Sequence, residues 1–459
     1  MNLRRLVTAA SLVLAVAAPA AAESLANALA DGYRNSGLLD QNRALLRAAD
    51  EDVAQSLAAL RPVVEWSANY NWQRADVTSP ETGRTFENQV TKSANFELSA
   101  SLLLYDGGAS KHRTEAAKAM VLETRQDLLE IEQDVLLRAA TAYMNVRRNS
   151  EFVALRKSNM TLIEEELRAA RDRFEVGEVT RTDVALAEAR LAATRSELAA
   201  AEGSLAQSKE EFRAAVGRAP GSLDVVSPAP IDRGPDAAQG FALSNHPSIK
   251  AAQQGVTAAE LTIRATEAAL RPSVSLRGSA SVDDDGNGTE SLGVTVGGPI
   301  YSGGQLESAI RQATARRDAA RAGLHLAGQS VAQSVGNAFA QLRVARASSE
   351  ASQLQIRAAR TAFEGVREEA TLGARTTLDV LNAEQELLDA RANAISAQAD
   401  EVIASYEVLA AMGLLTAEHL GLAVQTYDPA AYYNLVKDAP ATLSPQGRAL
   451  DRVLESIGE

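Results

Sequence analysis

Two stretches 196 residues apart carry the same punctuation: Gly177-Glu178-Val179-Thr180-Arg181-Thr182-Asp183-Val184 and Gly373-Ala374-Arg375-Thr376-Thr377-Leu378-Asp379-Val380. In each, a glycine breaks a long helical pattern, and a threonine and an aspartate open a second amphipathic helix. The same offset relates Tyr105-Asp106-Gly107-Gly108 to Tyr301-Ser302-Gly303-Gly304, and an offset of 210 relates Asn35 and Arg61-Pro62 to Asn245 and Arg271-Pro272. The difference between the offsets falls in the strand loops, where insertions are tolerated. A chain made of two copies of one unit is a repeat architecture, so a scaffold is expected before an enzyme.

Each copy reads as short helices, a strand pair, a long helix and a returning helix. In the first, 23–235, helical spacing from Ser24 to Leu60 breaks at Asn35-Ser36-Gly37 and stops at Pro62. The period then becomes 2. Val64, Trp66, Ala68, Tyr70 and Trp72 alternate with polar residues, as do Ala94, Phe96, Leu98, Ala100, Leu102 and Leu104, which predicts strands over about 62–75 and 93–105. Ser110 to Glu175 holds neither proline nor glycine, which predicts a long helix over 110–175, about 100 Å in length, and a returning helix over 182–216 of about 50 Å. The helix near Gln41 to Leu60 makes up the length that the returning helix lacks. The second copy, 236–415, predicts strands over about 272–283 and 290–301, a long helix over 305–371 and a returning helix over 377–413. Residues 416–459, with Pro429, Pro440 and Pro445, are expected to form an irregular equatorial tail with short helices and a disordered end.

Residues 1–22 read as a signal peptide, because Arg4 and Arg5 precede an apolar run and Ala20-Ala21-Ala22 has the small-residue form of a cleavage site. Losing Arg4 and Arg5 with it takes the formal net charge from −13 to −15, the wrong sign for a nucleic-acid binder. No cysteine is present, which excludes disulfides and thiolate metal sites. His112, His246, His325 and His419 are scattered without ligand spacing, and no phosphate-binding or nucleophile motif occurs, so neither metal, cofactor nor enzyme activity is expected. Asp283-Asp284-Asp285-Gly286-Asn287-Gly288 opens like a calcium loop, but Val294 stands where a bidentate glutamate is needed, and a hairpin turn is expected instead.

No later stretch approaches the ~20 apolar residues of a transmembrane helix, so contact with a membrane would be made through the strands. Four strands cannot close a barrel, and an open sheet edge in lipid leaves backbone groups unsatisfied at several kcal/mol each. Three chains of four strands give twelve, within the range of known transmembrane barrels. Trp66, Tyr70, Trp72, Phe96 and Leu98 then suit the lipid face, and the alternating serine and asparagine a wet lumen.

These linked signatures resemble the TolC-like outer-membrane efflux proteins. The likeness rests on the Arg-Pro strand starts, on Tyr301 to Gln305 and on Gly373 to Leu381, and it covers essentially the whole mature chain. It implies an α+β membrane protein: a homotrimer whose 12-stranded barrel in the outer membrane continues as a long α-helical barrel through the periplasm. The implied function is a passive exit duct for efflux of small molecules or type I protein secretion. Docking to a periplasmic adaptor (membrane fusion) protein and an inner-membrane pump or ABC transporter would open it. The resemblance makes the glycine turns the periplasmic tip, with Gly177, Thr182, Gly373 and Thr377 in adaptor docking. Asp183 and Arg375 match the family's linking aspartate and arginine, and Asp379 matches one acidic-ring position. Ala370 stands in place of a linking tyrosine and Asn382 in place of a second ring aspartate, which implies a looser gate with half the ring charge. On their own, Asp183 and Asp379 read equally as first-turn acids that stabilise helix N-termini. The residues also leave open an exported coiled-coil structural or adhesin-like protein without a pore.

Overall fold

The computed structural model describes residues 23–458 other than 79, 82, 442 and 443, so the expected signal peptide lies outside the described residues. The first copy runs α1 (Leu25–Arg34), α2 (Gly37–Ala58), β1 (Val63–Thr78), β2 (Thr85–Tyr105), α3 (Ala109–Glu175) and α4 (Arg181–Val216). The second runs α5 (Pro235–Asn245), α6 (Pro247–Ala268), β3 (Ser273–Asp283), β4 (Gly288–Gly297), α7 (Gln305–Thr371) and α8 (Thr377–Ala411). The tail adds α9 (Ala431–Val436) and α10 (Pro445–Gly458). The long helices α3 and α7 have 67 residues each, so the repeat holds in length as well as in order. Among the described residues no helix is long and apolar enough to cross a membrane.

Two compact units interleave along the chain. One comprises residues 37–132, 235–335 and 426–459 and contains the sheet. Its strands lie in the order β1-β2-β3-β4, each antiparallel to the next, so β1 and β4 are edges. The register lines up Trp66 with Leu98 and Ala68 with Phe96, and β3 then places Val282 beside Phe96 and Ala280 beside Leu98. Because side chains alternate across a pleat, these residues share one face with Tyr70, Trp72, Leu276 and Val294. Serine, asparagine, glutamate and threonine occupy the other. The apolar face is bare in the chain: Trp66 is 70% exposed and Tyr70 68%, and the Trp66 and Phe96 rings stack at 6.3 Å.

The first hairpin outruns the second. Asn95 faces Asp283, the last residue of β3, while β2 continues to pair with β1 back to Thr85 opposite Thr78. The expected start at 93 marks where apolar alternation begins, eight residues inside the strand. Backbone pairing does not require that alternation, and Thr85–Lys92 is held by that pairing together with polar contacts to β1, Thr78 Oγ1 to Thr85 Oγ1 at 3.0 Å and Asn88 N–H to Asp76 Oδ1 at 2.6 Å. At the other end β4 stops at Gly297, four residues short of the expected 301. The acidic run at 283–288 closes the β3–β4 hairpin. The Asp283 carboxylate accepts from the backbone N–H groups of Asp285 and Asn287 at 3.1 and 2.7 Å and from Asn287 Nδ2 at 2.9 Å.

In the same unit the tail packs on α2. Tyr432, Val436 and Leu450 form a buried cluster with Ala54, and the Tyr432 hydroxyl donates to Glu51 Oε1 at 2.6 Å. Arg61 donates to the carbonyls of Asp438 and Ala439. The tail ends in α10, whose apolar residues recur at helical spacing, and Leu450 docks into that cluster.

The other unit, residues 23–36, 133–234 and 336–425, is helical. Here α3 and α4 form one antiparallel hairpin and α7 and α8 a second. Ile163, Leu167, Ala187 and Leu191 of the first hairpin bury Leu381 of α8. Ala359, Phe363, Val380, Leu387 and Ala390 of the second take in Leu162 of α3. Each hairpin thus contributes a leucine to the other's core: Leu381 is buried, which stabilises by roughly 2 kcal/mol, and Leu162 is partly buried. Arg218 ties α1 and the residue before its cap into this unit, donating to Glu23 at 2.7 Å and Asp31 at 2.8 Å.

Candidate functional site

The two helical turns repeat nearly atom for atom. After α3, Gly177 adopts φ 81°, a left-handed conformation that costs a side-chain-bearing residue about 1 kcal/mol, and Glu178 N–H donates to Arg173 O at 2.9 Å. After α7, Gly373 has φ 76°, and Ala374 N–H donates to Glu369 O at 2.9 Å. Thr180 and Thr376 are the N-caps of α4 and α8, with the same φ of −89° and ψ of 160°. Each belongs to a reciprocal capping box. Asp183 N–H donates to Thr180 Oγ1 at 3.3 Å while the Asp183 carboxylate accepts from Thr180 N–H and Oγ1 at 2.9 and 2.7 Å. Asp379 and Thr376 do the same at 3.2, 3.0 and 2.8 Å.

These bonds set the charge of both aspartates. The hydroxyl and backbone N–H of Thr180 hold the Asp183 carboxyl below the usual carboxylate range, and the backbone N–H and hydroxyl of Thr376 do so for Asp379. Both therefore stay ionised through the neutral range. Arg375 donates from Nε to Glu369 Oε2 at 2.8 Å, with half of each side chain exposed. Among the described residues its carboxylate partner is thus Glu369, six positions back in the same turn, and Asp183 is engaged by its own cap.

The remaining expected residues also gather at these turns. Asn382 is exposed on α8, one turn beyond Asp379, and Ala370 packs against the cluster around Phe363. Thr182 is exposed and Thr377 half-buried, both in the first turn after a cap. Three residues were missed by the sequence reading. Val176 and Leu372, also 196 apart, are 71% and 79% exposed beside the two glycines. Their signal was an apolar residue next to a chain reversal. The third is Glu384, buried on α8; its signal was its position among Val380, Leu381, Leu387 and Leu388 on the apolar face.

The profile of a family described as outer membrane efflux protein matches residues 33–218 and 240–414. The chain is 37% identical to the outer membrane efflux protein BepC of Brucella suis, over 94% of each chain. It is 26% identical to the alkaline protease secretion protein AprF of Pseudomonas aeruginosa, over 72% of each. The Campylobacter jejuni CmeC outer membrane channel superposes with a TM-score of 0.76 at 17% identity, covering 91% of this chain and 90% of that one.

Proposed function

The chain belongs to the outer membrane efflux protein family, and from that premise we propose that it is a passive exit duct assembled from three copies and opened by docking. It is an outer-membrane protein, and its relatives are channel proteins rather than enzymes. The observation that carries the duct reading is the open sheet: four strands with a bare apolar face and two unpaired edges. In lipid those edges must be satisfied, and three copies joined β4 to β1 make a closed 12-stranded wall with its polar face inward. The helical hairpins of three copies then continue the wall through the periplasm.

The two turns form the entrance. Threefold symmetry brings three Asp379 carboxylates, held ionised by their caps, around one axis, where they favour cations. Arg375 links the hairpins across the entrance to Asp183 when it leaves Glu369; an exposed pair of this kind contributes 0 to ~1 kcal/mol, so closure relies on three copies and on packing. Val176 and Leu372 offer an exposed apolar rim that a periplasmic adaptor covers when it connects the duct to an inner-membrane pump or ABC transporter. The cargo is a small molecule or a polypeptide, since the relatives include both an efflux protein and a protease secretion protein.

Membranes containing the protein test the reading directly. Extraction that requires detergent, a trimeric mass in detergent and low conductance in planar bilayers are expected. Arg375→Ser and Asp183→Ala should each raise that conductance several-fold. Release by high salt alone would point instead to an exported coiled-coil protein, and wild-type conductance in both variants would move the gate elsewhere.

A further inference from the structure

The α7–α8 hairpin holds a carboxylate where its pattern calls for an apolar side chain. Glu384 is 5% exposed, and neither of its oxygens has a hydrogen-bond partner. It borders a cavity of about 90 Å³ with Leu155, Asn159 and Leu162 of α3 and Phe363 of α7. This is the seam that Leu381 and Leu162 cross between the hairpins. The charged groups that face it are Glu166 from α3, Arg190 from α4, Arg367 from α7 and Arg391, on α8 itself, at the cavity. Burial, reinforced by Glu166 and opposed by Arg190 and Arg367, pushes its carboxyl up to about 7.

The repeat shows where such a glutamate goes when it is charged. Arg171 and Glu188 stand 196 residues before Arg367 and Glu384, the same two residue types at the same two places of a hairpin. In the first hairpin they are bonded at 2.6 Å, with 57% and 51% of their side chains exposed. In the second, Arg367 is exposed while Glu384 is turned into the seam, unbonded. A pairing geometry that the first hairpin makes is open to the second, at the cost of withdrawing Glu384 from α3.

We propose that Glu384 is a proton-operated latch: its neutral form lets α8 close against α3, and its ionised form leaves the seam to pair with Arg367 as Glu188 pairs with Arg171. Charge and packing then compete for one side chain, which makes the seam a two-state element rather than a continuously adjustable one. The proposal rests on the reading of the turns as a gate, because loosening α7–α8 from α3–α4 is what widens the entrance. The caps cannot produce this response, since Asp183 and Asp379 are held below the usual carboxylate range.

The test is conductance of the full-length trimer in planar bilayers between about pH 5.5 and 8.5, a window centred on the raised carboxyl. Wild-type conductance is expected to rise several-fold through neutrality. Glu384→Gln and Glu384→Met, which cannot ionise, should stay at the acid-side level throughout, Arg367→Met should lower the alkaline level, and Glu188→Gln should keep the wild-type profile. A flat wild-type profile overturns the latch, as does a wild-type profile in both Glu384 variants. Arg375→Ser is the separate control. If it opens the pore while the Glu384 variants keep the wild-type profile, the latch alone fails; if both it and Asp183→Ala leave conductance unchanged, the gate reading fails first.

Discussion

The two helical hairpins have the same order, the same long helix and the same capped turn, yet they use their charges differently. Between α3 and α4, Arg171–Glu188, Arg138–Glu211 and Arg195–Glu164 lie within 2.6–3.3 Å on exposed faces, and Arg156–Glu197 at 2.6 Å with Arg156 half-buried. Among the described residues α7 and α8 make Arg346–Glu401 at 3.7 Å and otherwise meet through apolar side chains. The difference lies in the neighbours. In the chain α8 packs on α7 and on α3, through Leu162 and the Arg148–Asp400 pair at 3.2 Å, and Arg190 of α4 reaches its Leu381 carbonyl. Its buried face is broad, from Val380 to Leu409, whereas α4 buries a narrow stripe. Equal sequence positions therefore meet solvent in one hairpin and a neighbouring helix in the other. Glu188 and Glu384 are the sharpest instance.

The contrast is easiest to break at Glu384. Its carboxyl rises from 4.5 to about 7 on folding, so its contribution to stability is complete below pH 4.5 and is lost as pH climbs through 7. The loss is on the order of 3 kcal/mol. Glu384→Met should raise the unfolding temperature of the detergent-solubilised protein by several degrees at pH 8 and by much less at pH 5. An equal gain at both values would assign the effect to packing and erase the distinction.

Next in size is the difference between the two capping aspartates. Their capping bonds match, although Arg375 is the charge beside Asp379 and Arg173 the charge beside Asp183. Asp379→Ala should lose several-fold of the block by multivalent cations in planar bilayers, and Asp183→Ala should keep it; equal loss would make the two turns equivalent in the lumen. The caps themselves should then behave alike. Thr180→Ala and Thr376→Ala should each cost about 1 kcal/mol, read as faster hydrogen exchange in the first turns of α4 and α8. Unequal exchange would show that one turn is held by its neighbours. The smallest effect belongs to Arg171 and Glu188, whose coupling in a double-mutant cycle should fall between 0 and ~1 kcal/mol. A larger coupling would mean that assembly buries that pair too.

Much of this architecture was legible because it is periodic. Alternation over Val64–Trp72 and Ala94–Leu104 carries the apolar sheet face, and the absence of proline and glycine from 110 to 175 carries α3. The α7 helix continues through Gly323, Gly328, Gly336 and Gly365, and there the repeat, not composition, carries the helix. The beginning of β2 at Thr85 was hidden, since pairing outside the apolar band leaves no hydrophobic signature. So was the Glu369 partner of Arg375, because a six-residue separation across a reversed chain has no fixed helical spacing.

By itself the sequence determined the repeat, the two sheet faces and the chemistry of the turns, because each follows from local geometry: glycine at positive φ, Thr and Asp three residues apart, side chains alternating across a pleat. Only the tertiary structure decided which of two equivalent glutamates is buried, because burial depends on what packs against a helix. Glu188 and Glu384 carry the same side chain at the same position of the repeat, but α8 has a second hairpin at its back and the exposed side of α4 does not.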